Sequence, residues 1–204
     1  MGPLGRCRLA FWVASDTFAL AARLAFETRD DKAAKTLYTT AAAAAGRLPD
    51  RQRLAAVWTS HTMVAPRTEG VSAASKIALS AVCEANNGPS YAIRARAHAV
   101  RAEVHSRAGE NHMARTALER AWRTMDQLGE DDPYGCFDPD RLAGFDGLCA
   151  LYSGNAAEVH QQLARSKATL TKSRDAVQRG ILNADAALAR LRLGDHIHDA
   201  LLGS

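Results

Sequence analysis

Paired cysteines are the first thing this 204-residue chain lacks. Its four, Cys7, Cys83, Cys136 and Cys149, include no C-x-x-C arrangement, and Cys83 lies within an apolar helical run. That is too sparse for a disulfide framework and fits reduced thiols in a cytoplasmic protein. No uninterrupted apolar run approaches the roughly 18 to 20 residues of a membrane-spanning helix. At the N-terminus "RCRLAFWVASD" sets arginines before an apolar patch, but Asp16 ends it too early for a secretory signal. G-x-x-x-x-G-K-[ST], a G-x-G-x-x-G after a strand, and H-E-x-x-H are all missing. Lysine is scarce, and the net charge of +4 comes from arginine scattered along every expected helix. The absences argue against a secreted, membrane-embedded or nucleic-acid-binding protein, give an enzyme no motif to start from, and imply no cofactor.

Alanine, by contrast, makes up about a fifth of the chain, within an ordinary hydrophobic content of 47% and charged content of 24%. It is distributed with a rhythm. Ala34, Ala74 and Ala114 lie forty residues apart, and Ala41, Ala81 and Ala121 follow each of them by seven. Phe18, Trp58 and His98 keep the same interval, as do Ala22, Thr62 and Ala102, and Tyr38, Ala78 and Leu118. Breaks recur on that beat: "GRLPD", "NNGPS", "GEDDPYG" and "TLTKS" between units, and "TRDD", "APRTEG", "AGEN", "YSGN" and "LGD" within them. Proline lacks a donor and glycine lacks a restraining side chain, so helices end there. Each unit reads as helix, short turn, helix, with small residues where the two helices cross. Gly147, Val159, Leu163 and Ser166 take the corresponding places in a fourth unit, forty-five residues on.

The stretch "ARAHAVRAEVHSRAGENHMARTALERAW" (Ala95 to Trp122) resembles a tetratricopeptide repeat, through Ala102, Gly109, Ala114, Leu118 and Ala121. It departs from that repeat in having His98 where an aromatic is usual, and in a period nearer forty than thirty-four. "FDPDRLAGFDGLCALYSGN" is similar to the repeat region of actinobacterial helix-turn-helix transcriptional regulators, although no helix-turn-helix pattern precedes Phe18. The resemblance implies an all-α, right-handed superhelix of helical hairpins, a tetratricopeptide-like α-solenoid of four to five repeats. The expected organisation is a tail or capping segment over 1–14, then a repeat domain over 15–204 with units near 15–48, 55–88, 95–128, 141–172 and 173–204.

In such arrays the first helix of each hairpin lines a concave groove. Carried onto this sequence, that exposes Arg23, Glu27, Thr59, Met63, Arg67, Arg96, Glu103, Arg107, Arg141 and Tyr152 as the ligand-binding row. Arginines outnumber acids there and suit a peptide carboxylate or acidic side chains. The implied role is binding of a peptide or protein partner in regulation, without catalysis. Two other readings stand beside it: an enzyme or maturation factor using the groove as a small-molecule pocket, and a homo-oligomeric assembly module acting through its ends. For the last, Phe11 and Trp12 ahead of the first repeat offer an internal cap or a homodimer contact.

The aberrant stretch "GEDDPYGCFDPDRLAGF" reads as a joint between units. Asp131 and Asp132 before Pro133 mark a stop, Asp138 with Pro139 an N-cap and first turn, and Tyr134 and Phe137 fold back onto the core. Metal binding finds little support: His98 and His105 are two turns, about 10 Å, apart on a helix. His196 and His198, flanked by Asp195 and Asp199, read as a solvated terminus. Cys136, with His160 and Asp138 as imaginable partners, matches no nucleophile motif.

Overall fold

The computed structural model describes residues 3–132, 134, 137–154, 159, 180, 183–184, 186–187 and 191. Those residues form seven α-helices and no strand. They are α1 (Pro3–Glu27), α2 (Asp31–Ala45), α3 (Arg51–Thr68), α4 (Val71–Asn86), α5 (Tyr91–Arg107), α6 (Asn111–Met125) and α7 (Pro139–Tyr152). The starts of α2, α4 and α6 are forty residues apart, as are those of α3 and α5. The repeat period is therefore a period of helices.

Local chemistry sets the ends. Asp30, Asp50, Ser90 and Asp138 cap α2, α3, α5 and α7, each side chain accepting from an amide in the first turn. Pro139 follows Asp138 at the start of α7, where its missing donor costs nothing. The turn inside each hairpin needs one residue with positive φ: Arg29, Gly70 and Gly109 serve, and Gly154 does so after α7. Arg29 is the one that is not glycine, and it bears the Cβ strain of that region.

Helices pair as α1–α2, α3–α4 and α5–α6, and successive pairs touch through α2–α3, α4–α5 and α6–α7. A second set of contacts joins α1 to α3, α3 to α5 and α5 to α7, while α2, α4 and α6 touch none of one another. Small residues occupy the crossings. Ala22, Ala34, Ala41, Thr62, Ala74, Ala78, Ala81, Ala102, Ala114 and Ala121 are all buried. Tyr38 and Trp58 fill the seam of the first two units, and Phe137 and Leu142 close the core beneath α7. In the fourth unit Gly147 and Val159 are buried as expected. Leu163, Ser166, the "TLTKS" and "LGD" breaks and most of the fifth unit lie outside the described residues.

Two boundaries and the reading of the first apolar stretch differ from the sequence reading. Residues 3–14, expected as a tail or capping segment, belong to α1. The "APRTEG" break falls late, because α3 runs through Pro66 to Thr68. In the last turn of a helix proline removes a single backbone bond, so it does not stop the helix there. Finally, Cys7–Glu27 is long and apolar enough by length and composition to cross a bilayer. Its charges are Arg8, Asp16, Arg23 and Glu27; Asp16, which the sequence reading took to end the apolar patch too early for a secretory signal, is paired with Arg53.

Two measurements test this packing. Ala102→Leu is expected to overpack the crossing with Ala117 and Cys149 and to cost about 1–3 kcal/mol in denaturant unfolding. Arg29→Gly is expected to raise the melting temperature, and Gly109→Ala to cost about 1 kcal/mol from backbone strain alone, since an added Cβ there meets no atom within 4 Å.

Candidate functional site

The expected row falls on α1, α3, α5 and α7, the helices that touch one another in series. On α1, Arg23 Nε donates to Glu27 at 2.6 Å. On α3, Arg67 directs Nε and Nη2 to Asp31 and donates to the Phe26 carbonyl at 2.9 Å, its guanidinium 3.9 Å from the Phe26 ring centre. On α5, Arg96 Nη2 reaches Ser60 Oγ at 3.3 Å and Met63 Sδ at 3.7 Å. Arg107 Nε donates to Glu103 at 2.9 Å and its guanidinium lies 4.6 Å from the Tyr152 ring. Arg141 is half-buried near the start of α7.

Thr59 must be removed from the row. It is 0% exposed, and its hydroxyl donates to the Ala55 carbonyl at 2.7 Å. The accessible face of α3 runs through Ser60, Met63 and Arg67, and one residue turns a helix by about 100°. Glu103 is also buried, so it anchors Arg107 and is not offered to solvent. Sequence reasoning missed the partners Phe26, Asp31 and Ser60. No composition signal marks them, because each lies more than thirty residues from the arginine it meets.

Beneath the row is a stack of rings. His61 lies between Tyr38 and Trp58, with ring centres at 5.4 and 5.9 Å and planes within 13°. Burial pushes the Tyr38 hydroxyl up, while Arg23 and Arg96 oppose it and Glu27 adds to it. The charges of three residues of the row thus act on one buried phenol. Burial lowers His61, although its Nε2 contact with Glu69 at 2.7 Å works the other way. Glu69 in turn meets Lys35 at 3.1 Å, which ties α2 to the end of α3.

No protein-family model, curated protein or solved structure matches this chain. Chemistry at the remaining candidates is decided by their surroundings. Burial, and then the charges of Arg120, Arg101 and Arg94, lower His98 to about 4, leaving it neutral near pH 7. His105 meets Glu110 through Nδ1 and accepts from Arg101 Nε through Nε2 at 3.2 Å, so both of its ring nitrogens are engaged. Among the described residues no three metal-ligating side chains gather. Burial pushes the Cys149 thiol up to about 12, far from a thiolate at physiological pH. Cys136, His160, Asp195, His196, His198 and Asp199 lie outside the described residues, and Asp138 is engaged as the cap of α7.

The acidic joint has a defined task. Asp132 accepts from Ser90 Oγ at 2.7 Å, from the Ala92 amide at 3.1 Å and from the Tyr134 amide at 2.9 Å. It therefore closes over the N-terminus of α5 across forty residues of sequence, where exposed amides favour an anion. Tyr134 packs against the core, and Phe137 is buried with its ring 6.1 Å from Phe145. The stretch is a joint, and Asp132 is its pin.

Burial raises the Asp132 carboxyl, but bonds from Ser90 and from the Ala92, Tyr134 and Tyr91 amides outweigh it and hold it below its ordinary 3.8. A lowered folded-state value means that its stabilisation is fully present above the unfolded value and lost as pH falls through the folded one. Asp132→Ala is therefore expected to cost about 1 kcal/mol near pH 7. The gap from the parent should narrow in unfolding curves recorded at successively more acidic pH below 3.8.

Proposed function

We propose that the chain is a tetratricopeptide-like array wound into a right-handed superhelix, and that its groove binds a peptide or protein partner in a regulatory assembly. The observation that carries this reading is the serial contact of α1, α3, α5 and α7, with α2, α4 and α6 kept apart from one another. That is the contact order of hairpins stacked with their first helices on one side. The row of Arg23, Met63, Arg67, Arg96, Arg107 and Tyr152 lies on those first helices.

The row is pre-organised. Arg67 and Arg107 are held against aromatic rings and carboxylates, and Arg96 against Ser60 and Met63, so their guanidiniums are fixed before a ligand arrives. Ordering long side chains in advance lowers the entropic cost of association. The four arginines outnumber the acids they meet, Glu27, Asp31 and Glu103, and this balance favours an acidic segment or a terminal carboxylate, both of which planar guanidiniums suit. The chemistry of this reading is recognition through charge and ring contacts.

Native mass spectrometry of the protein drawn from the cells that make it tests this directly. A discrete added mass in the peptide range is expected. Arg23→Gln combined with Arg96→Gln should remove that mass while helicity stays unchanged, since neither residue caps a helix or fills a crossing. Bare protein in the parent, or an adduct indifferent to the double substitution, overturns the groove reading.

A further inference from the structure

Tyr38 carries a hydroxyl that the packing around it does not use. Its counterparts one and two periods later are Ala78 and Leu118, both apolar. It shares its core cluster with Phe18, Ala22 and Phe26 of α1 and with Val57, Trp58 and Val64 of α3. A phenylalanine ring would fill that seam as well. Burying a hydroxyl without a bond is unfavourable, so the oxygen is an addition that packing alone does not explain. Tyr38 is 2% exposed, and among the described residues none hydrogen-bonds its hydroxyl.

The contacts of the helices say where that hydroxyl lies. α2 packs on α1 and α3 and not on α5. Yet the charge of Arg96, from α5, bears on the phenol together with those of Arg23 and Glu27 from α1. Arg96 Nη2 is 3.3 Å from Ser60 Oγ and 3.7 Å from Met63 Sδ, both on the accessible face of α3. The ring therefore crosses the seam between α1 and α3 and brings its hydroxyl to the side on which the row lies. There the oxygen is neither bonded nor sealed away. Its position is also fixed from behind. The Tyr38 ring lies on His61, His61 Nε2 meets Glu69 at 2.7 Å, and Glu69 meets Lys35 at 3.1 Å.

We propose that Tyr38 is a ligand-binding residue of the groove: its hydroxyl donates to one oxygen of a peptide carboxylate, and Arg23 and Arg96 meet the charge from α1 and α5. The inference rests on the groove reading and adds to it the place where the acidic group is held.

The chemistry of the surroundings selects this ligand. Burial pushes the phenol up, so it stays protonated near pH 7 and donates. Two guanidiniums and one carboxylate act on it, an excess of one positive charge, which matches a carboxylate better than a doubly charged phosphate. Arg23 commits Nε to Glu27, which orients the guanidinium and leaves its two Nη nitrogens for a planar acceptor. A ligand oxygen would supply the bond that the hydroxyl lacks, so the unfavourable burial in the unliganded protein becomes affinity when the groove is filled.

NMR of the whole chain at fixed ionic strength tests this with four probes: N-acetyl-triglycine, its C-terminal amide, N-acetyl-Gly-Asp-Gly amide and inorganic phosphate. Labelling the tyrosine rings with ¹³C gives four signals, and Tyr38→Phe identifies the one from Tyr38. A carboxylate probe is expected to shift that signal saturably, and the triglycine amide is not. A shift from N-acetyl-triglycine alone assigns a chain end, and one from the aspartate probe alone a side chain. Tyr38→Phe should weaken binding, read from the probe's own proton signals, roughly tenfold, the effect of losing a hydrogen bond to a charged group. Helicity and melting temperature should not fall, while Tyr91→Phe should leave binding unchanged.

Phosphate binding more tightly than either carboxylate, or the triglycine amide shifting the Tyr38 signal equally, overturns the inference. Carboxylate binding that is lost with Arg23→Gln and Arg96→Gln but is indifferent to Tyr38→Phe also overturns it, and leaves the groove reading standing. If neither carboxylate probe binds, the subsite falls. A peptide adduct on protein drawn from cells would then keep the groove reading, and bare protein would remove both.

Discussion

Helices in this chain approach one another at alanine. Ala34, Ala74 and Ala114 on the second helix of each hairpin, and Ala41, Ala81 and Ala121 two turns later, are buried to within a few per cent. A methyl group at a crossing lets two backbones come close, and it also means that nothing larger fits. The forty-residue period follows, because each new hairpin must bring its small residues to the same height as those of the last. Most other features of the fold compensate for what alanine does not supply.

A buried methyl contributes little, on the order of 0.8 kcal/mol per carbon, so a core made of crossings alone would be thin. Few large apolar side chains are packed into the core, and those sit in the seams: Tyr38 and Trp58 between the first units, Phe137 and Leu142 where α7 joins α5 and α6. Polar links join hairpins at the edges. Arg53 meets Asp16 and the Trp12 ring, Arg67 meets Asp31 and Phe26, and Trp122 Nε1 donates to Asp146 at 2.7 Å. Arginine suits this work because a planar guanidinium lies flat on a ring while its edge pairs with a carboxylate. The arginine-rich composition therefore has a structural use beside the binding one proposed for it, and the two are not separable at Arg67 or Arg107.

How much was legible follows from the range of each signal. The crossings were legible since one residue type recurs at one interval. The caps at Asp138 and Pro139, and the inward turn of Tyr134 and Phe137, were legible as local turn chemistry. The role of Asp132 was half visible: its place in a stop was read, but its grip on the N-terminus of α5 joins residues forty apart. Thr59 went astray because an error of one position rotates a side chain from surface to core. The extent of α1 was misjudged because the repeat pattern begins at Phe18, while the helix does not need the pattern in order to continue.

A repeat array buries each hairpin against its neighbours, so one position of the period can be core in one unit and surface in another. Val64 and Val104 are buried, whereas Leu24, at the same place in the period, is 57% exposed. Arg23, beside it in sequence, and Glu27, one turn on, open the row proposed to bind a ligand, and they are paired with each other. One helix therefore carries both an exposed apolar face and the start of that row, and whatever covers the first bears on the second through side chains a single turn apart.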